Sequence, residues 1–338
     1  MRKTPIVRFL LHLLLLSTPL LVAAAVYVVL DPFKVVWHYD NYYERQAPHP
    51  SLDMDYVSCE NYLARRDTCH YNAYLMGNSR SQFWQVADWL RHLPEGAVGY
   101  HYYGNGETLY RLNCHIRFLH EQQATIDYVL MVVDRDLLAE ITLQSKGHLG
   151  LMPPKVDGSL LTFHADNFLA FMKPAFLVGY IDYTIFGQLR PYMTANFLFE
   201  QPVDYDSATN EVREYLLEEA IANDSYYTPE RTWRFEGKQF PDSISPPVIG
   251  NEQRVLLKQI KDVLNQHHTD CRIAISPLYD QIHLNPEDVA VLCDIFGSSN
   301  VNDFSGPNKW NDDYHLFYED SHYRPVVARE LMEMIYQR

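Results

Sequence analysis

The chain has 338 residues, 47% of them hydrophobic and 14% aromatic, with 43 acidic against 28 basic side chains. That apolar content supports a real core and excludes both global disorder and a disulfide-stapled miniprotein. A net charge of −15 speaks against nucleic acid as a partner, because phosphates demand a basic footprint. The charge is uneven: the first thirty residues hold Arg2, Lys3 and Arg8 and no acid, so the remainder is more acidic than the whole.

From Phe9 to Leu30 the chain is almost wholly apolar, interrupted by His12, Ser17, Thr18 and Pro19. At a helical rise of ~1.5 Å this run reaches roughly 33 Å, enough to cross a hydrocarbon core of about 30 Å. Ala23-Ala24-Ala25 imitates a signal cleavage site, but the apolar run continues past it to Leu30, which favours an uncleaved signal-anchor. The basic residues ahead of the span predict a cytoplasmic N-terminus and a body outside. A second apolar stretch, Phe168 to Gly187, contains Lys173 and Asp182 and reads as a core helix, leaving one span. Of five cysteines, Cys59 and Cys69 enclose a short segment and could form a disulfide in an oxidising compartment. No Cys/His cluster suggests structural zinc.

After a connector over 31–70, short apolar runs predict strands at 72–76, 97–102, 127–133, 272–276 and 300–304. Helical patterns fall at 81–92, 107–120, 252–266, 286–296 and 326–336. This alternation predicts a parallel sheet with helices on both faces. It breaks between about 145 and 250, where Phe163–Phe199 reads as aromatic and helical, Glu211–Ala222 as an acidic helix, and 223–251 as an aromatic loop. The stretch is expected to be a partly helical insertion between the third and fourth strands, placed to cover a site.

Three pieces carry candidate chemistry. Gly77-Asn78-Ser79-Arg80 ends the first strand and opens a helix, where ligands of open α/β sheets collect and free N–H groups can stabilise an oxyanion. Ser is equally a preferred N-cap there. His101-Tyr102-Tyr103-Gly104-Asn105-Gly106-Glu107 follows the second strand as a glycine turn. Glu319-Asp320-Ser321-His322 precedes the last helix and offers a general base with two acids within three residues. Asp134-Arg135-Asp136 after the third strand resembles an Asp-x-Asp metal pair, but no phosphate-cradling loop accompanies it. Trp233, Trp310 and Tyr314 are candidates for stacking on sugar rings.

In their order, these pieces resemble the SGNH (GDSL-like) hydrolase superfamily, particularly its membrane-anchored branch of alginate O-acetyltransferases and teichoic-acid D-alanylation proteins. The family's Gly-Asp-Ser stands here as Gly77-Asn78-Ser79, its second-block glycine falls on Gly104, and its last block fits Asp320-Ser321-His322-Tyr323, or Glu319 at the Asp-x-x-His spacing. The third-block Asn is replaced by Asp134, whose carboxylate would repel an oxyanion unless protonated or turned away. The resemblance implies a three-layer α/β/α fold with a mainly parallel, flavodoxin-like sheet over 71–338, preceded by one transmembrane helix over 1–30. It implies Ser79 as nucleophile, His322 as base, Asp320 or failing that Glu319 as orienter, and the N–H groups of Ser79 and Gly104 as the oxyanion hole. Arg80 and Asn105 become candidate substrate contacts, and no cofactor or metal is called for. The expected function is an exported esterase or O-acyltransferase acting on an acylated envelope or extracellular glycan or a small acyl ester, fed by a membrane acyl-transfer partner. The alternative is a non-catalytic scaffold or glycan-binding subunit of the same fold.

Overall fold

The structure, a computed structural model, describes residues 5–142, 147–195, 197–235, 240 and 242–337. Arg2 and Lys3 of the basic cue lie outside them. Helix α1 (Pro5–Leu30) is long and apolar enough to cross a membrane, and among its residues only Tyr27 is buried. Ser17 and Thr18 return their hydroxyls to the Leu14 carbonyl (3.1 and 2.8 Å), which removes the cost of polar groups in an apolar segment. The chain then turns on the buried Asp31, whose carboxylate accepts the N–H groups of Val35, Val36 and Trp37 (2.9–3.0 Å).

Helix α2 (Met54–Cys69) starts on an Asp53 cap. Cys59 and Cys69 both lie on it, ten residues or about 15 Å apart along the axis, beyond disulfide reach. The expected bridge does not form, and all five cysteines are free.

Five parallel strands follow where the apolar runs predict them: β1 (Ala73–Gly77), β2 (Gly99–Tyr103), β3 (Tyr128–Val133), β4 (Asp270–Ile275) and β5 (Val301–Asp303). Their order across the sheet is β5-β4-β3-β1-β2. Helices α3 (Val86–Leu90), α4 (Leu109–Glu121), α5 (Arg135–Ala139), α6 (Leu160–Phe171), α7 (Pro174–Phe186), α8 (Pro191–Ala195), α9 (Tyr215–Ala222), α10 (Pro229–Thr232), α11 (Asn251–Gln266), α12 (Pro286–Phe296) and α13 (Pro325–Tyr336) complete the set. Successive strand residues point to opposite faces. Tyr74, Tyr102, Met131 and Ile273 join an apolar cluster with α4, α11 and α12. Ala73, Leu75, Leu130 and Val132 join another with Trp89 of α3 and Leu331 of α13.

Three local expectations are corrected. The helix expected over 81–92 is a 3₁₀ turn, Ser79–Phe83, and then α3. Trp84 and Gln85 between them are extended, and the buried Glu211 carboxylate takes the Val86 N–H (2.6 Å). Glu211–Arg213 is itself a strand paired with Asp204–Asp206, so the acidic helix is confined to α9. The stretch Phe168–Gly187 is no core helix: it spans α6 and α7, bent by 66°, and α7 buries only Phe176 and Gly179.

Candidate active site

With strand order 2-1-3-4-5, the carboxyl end of β1 lies between β2 and β3, where successive connections diverge and a crevice opens. Gly77 ends β1 there. A Cβ on it would stand 2.5 Å from the Val132 carbonyl and 3.0 Å from the Ser81 side chain, so only glycine fits. The chain then makes its 3₁₀ turn, capped by Asn78, whose Oδ1 accepts the Arg80 N–H (3.0 Å). Ser79 is the first residue of this turn, so its N–H has no intrahelical acceptor.

His322 arrives from the far end of the chain. Phe317–Glu319 and His322–Tyr323 form a tight antiparallel hairpin in which Glu319 and His322 are register partners. Opposed residues share a face, so Glu319 reaches His322 while Asp320 occupies the turn between them. The Ser79 hydroxyl donates to His322 Nε2 (2.9 Å), and His322 Nδ1–H donates to Glu319 Oε1. The Ser321 N–H donates to the other Glu319 oxygen (3.0 Å). Burial alone would raise the Glu319 carboxyl, but its bond to His322 and the charge of that ring, followed by Asp320 and the Ser321 N–H, outweigh it and hold it below its usual range. Of the two acids expected near His322, Glu319 makes the relay. Asp320 instead lines a hollow with Arg80 and Arg135.

Other expected residues fall differently. The Gly104 N–H donates to the Gly77 carbonyl (3.4 Å), and Gly104 packs against Asp55 and Glu107 instead of lining the cleft. Gly106, at φ +62°, lines the cleft beside Ser79, as does Asn105. Arg80 is held by Asp134 (2.6 Å) and Asp136 (3.1 Å), with Nε donating to the Ser321 carbonyl (3.3 Å). It ties the Ser79 turn to the hairpin and also lines the polar hollow that opens at Ser79.

Asn78 and Asp134, the two residues that depart from the expected blocks, meet. Asn78 donates from Nδ2 to Asp134 Oδ2 (2.6 Å), while Asp134 Oδ1 caps α5 through the N–H groups of Asp136 and Leu137 (2.9 and 3.0 Å). Burial pushes the Asp134 carboxyl up, but Arg80 and these donors push it further down, so it is ionised with its charge balanced. Arg80 thus offsets the negative charge that Asp134 brings beside Ser79. The same bonds leave Asp134 no open oxygen for the metal pair of the Asp-x-Asp reading.

Two hollows meet at Ser79 and Gly106. One, of about 440 Å³, is polar and includes Glu107, Thr108, Asp136 and Ser321. The other, of about 530 Å³, holds His322 and Glu319 and is walled by Phe83, Leu149, Phe197, Leu217, Tyr226 and Tyr318. Much of that wall belongs to the 145–250 insertion. Its carboxyls Glu200 and Glu214 also line the cleft. Burial pushes Glu200 up to about 7, with Glu214 adding to the effect, and burial likewise raises Glu214. These wall residues escape sequence reasoning, since aromatic side chains are abundant and nothing in their spacing distinguishes them. The stacking candidates do not join the cleft lining: Trp310 is buried and donates to Glu330 (2.9 Å), and Tyr314 stacks on His315.

Behind Gly104 lies a buried ionic network. His115 bridges Asp55 (2.7 Å) and Glu107 (3.2 Å), and the Arg111 guanidinium lies against Asp55. Among the described residues this is the group whose potential metal-ligand atoms converge, within 4.8 Å of one another. Arg111 already supplies the cation there, and the network locks α2 to α4 beneath the glycine turn. Compared with known proteins, the chain matches no family model and no curated protein.

Proposed function

We propose that the protein is a membrane-tethered serine esterase or O-acyltransferase of SGNH-like design. In this reading its body forms three α/β/α layers and is held outside the cytoplasmic membrane by α1. The observation that carries the reading is the Ser79–His322–Glu319 relay, assembled from opposite ends of the chain at the mouth of a cleft. Glu319 fixes His322 with its proton on Nδ1, so Nε2 is a bare acceptor for the Ser79 proton. Ser79 Oγ then attacks the acyl carbonyl, and its proton passes to His322. Charge on the carbonyl oxygen is met by the Ser79 N–H, with the Gly106 N–H as second donor. His322 returns the proton to the leaving alkoxide, which departs from the acyl-enzyme. Water or a sugar hydroxyl next attacks, again losing its proton to His322. Ser79 is released as the bond from its oxygen to the acyl carbon breaks and that oxygen takes the proton back from His322.

The cleft supports a neutral acylated glycan or small acyl ester over a polyanion. Its apolar wall suits an acyl group, and its two carboxyls would repel an anionic polymer when ionised. A second reading, a non-catalytic scaffold, draws on the Gly104 N–H being engaged and on Asp134 standing where the family places an Asn donor. A fluorophosphonate probe separates the two. Labelling of the folded full-length chain at Ser79, lost in Ser79→Ala together with hydrolysis of an activated acetyl ester, supports the enzyme. Absence of labelling in the folded wild type, or turnover that survives Ser79→Ala, refutes it.

A further inference from the structure

Helices α6 and α7 form a bent pair on the surface whose outer side is largely apolar, interrupted on α6 by the exposed Thr162 and Asp166. On α7, Val178, Ile181 and Ile185 are 61, 54 and 67% exposed, at a spacing that puts them on one face, and Phe186 continues it. Leu161 and Leu169 are exposed on α6. Contiguous apolar surface of this kind marks an interaction face. The inner side of the pair is packed against the end of α1: Tyr27 sits between Phe168 and Phe171, with ring centroids 5.6 and 5.4 Å away, inside a cluster with Phe33, Phe163 and Phe176.

Tyr27 is three residues, about 4.5 Å, from the end of α1. A 26-residue helix is longer than the roughly 20 residues a hydrocarbon core needs, so its last turn lies at the lipid–headgroup boundary. Trp37, half-exposed, donates its indole N–H to the Val28 carbonyl (2.7 Å), the placement an interfacial tryptophan favours. Asp182, the single charged residue of α7, is engaged by Arg190 (3.4 Å) and by the Tyr192 hydroxyl (3.0 Å). The polar Thr184 hydroxyl is returned to the Tyr180 carbonyl (2.7 Å). Lys173 stands exposed at the bend, where a long stem lets its ammonium reach the headgroups.

From these contacts we infer that the α6–α7 pair is a membrane-seated element whose outer face lies in the lipid bilayer leaflet on the side of the body. It gives the tether a second, rigidly connected foothold. The pair also lies near the cleft, since a Cβ at Gly179 of α7 would stand 3.6 Å from Leu198, the neighbour of the cleft residue Phe197. A seated pair therefore holds the Ser79 cleft close to the membrane. The inference rests on α1 being a membrane tether.

The test uses the full-length chain in phosphatidylcholine liposomes containing a diazirine-bearing phosphatidylcholine, followed by photolysis and peptide mapping. Labelling is expected in α1 and in residues 160–186, and not on the solvent-facing side of α11. Val178→Asp/Ile181→Asp/Ile185→Asp, all at surface positions, is expected to lower labelling of 160–186 at least tenfold while that of α1 persists. Labelling of α1 without 160–186 overturns the inference and leaves the tether intact. The same result with cross-linking between copies through this face assigns it to a second copy instead. Labelling of neither segment overturns both readings.

Discussion

Replacing Glu319 by Gln tests the relay at its most specific point. A carboxylate offers only acceptors, and Glu319 uses one oxygen for His322 Nδ1–H and the other for the Ser321 N–H (3.0 Å). A glutamine keeps one oxygen and brings an NH₂ group. With the oxygen retained by Ser321, the NH₂ faces Nδ1 and donates to it, which drives the imidazole proton onto Nε2. Ser79, 2.9 Å from Nε2, then meets a donor where it needs an acceptor. The equivalent tautomer error in a Ser-His-Asp triad lowers kcat by about 10⁴, or roughly 5.5 kcal/mol of transition-state stabilisation. Asp320→Asn, altering the turn residue, is expected to stay within about twofold of wild type. The assay is hydrolysis of an activated acetyl ester by the detergent-solubilised full chain, with thermal melts to establish folding. If Glu319→Gln keeps more than about a tenth of wild-type kcat while Asp320→Asn loses activity, the relay has been assigned to the wrong acid.

Asp134→Ala leaves the nearly buried Arg80 without its main partner, the Asn78 amide unpaired and α5 uncapped, so chemical unfolding should report a loss of about 3–5 kcal/mol. Because the folded Asp134 carboxyl sits below its ordinary pKa of 3.8, its contribution is present above that value and fades as pH falls further, so wild type and Asp134→Asn should converge in strong acid. Glu200 behaves oppositely: its folded carboxyl is pushed from 4.5 up to about 7, chiefly by burial and then by Glu214, so the folded state holds the extra proton and stability declines as pH rises through that window. Glu200→Gln should therefore raise Tm at pH 8 and change it little at pH 5, and parallel Tm–pH curves for the two proteins would contradict the assignment.

Much of the fold is legible because its signals are local. The apolar runs that become β1, β3 and β4 and the periodic patterns of α4, α11 and α13 carry their own burial pattern along the chain. Ser79 and His322 are legible as residue types at a strand end and before a terminal helix, and they meet at 2.9 Å. Where the helix expected over 81–92 fails, a distant group has overridden the local pattern. Glu211, 125 residues away, takes the Val86 N–H and breaks the helix expected over 81–92. Cys59 and Cys69 read as a pair until a helix stretches the segment between them.

By itself, then, the sequence determines a basic, apolar head, an acidic α/β body and the order of three chemical blocks, since each of these depends on composition or short-range periodicity. The tertiary structure alone decides between Glu319 and Asp320, because a hairpin register, and not residue spacing, sets which acid faces His322. It alone pairs Asn78 with Asp134 and neutralises the latter with Arg80, as electrostatic balance depends on groups more than fifty residues apart. It also turns an apparent core helix into an exposed apolar pair fastened to the end of α1. Hydropathy records how apolar a helix is, and only packing shows which of its faces the protein has left uncovered.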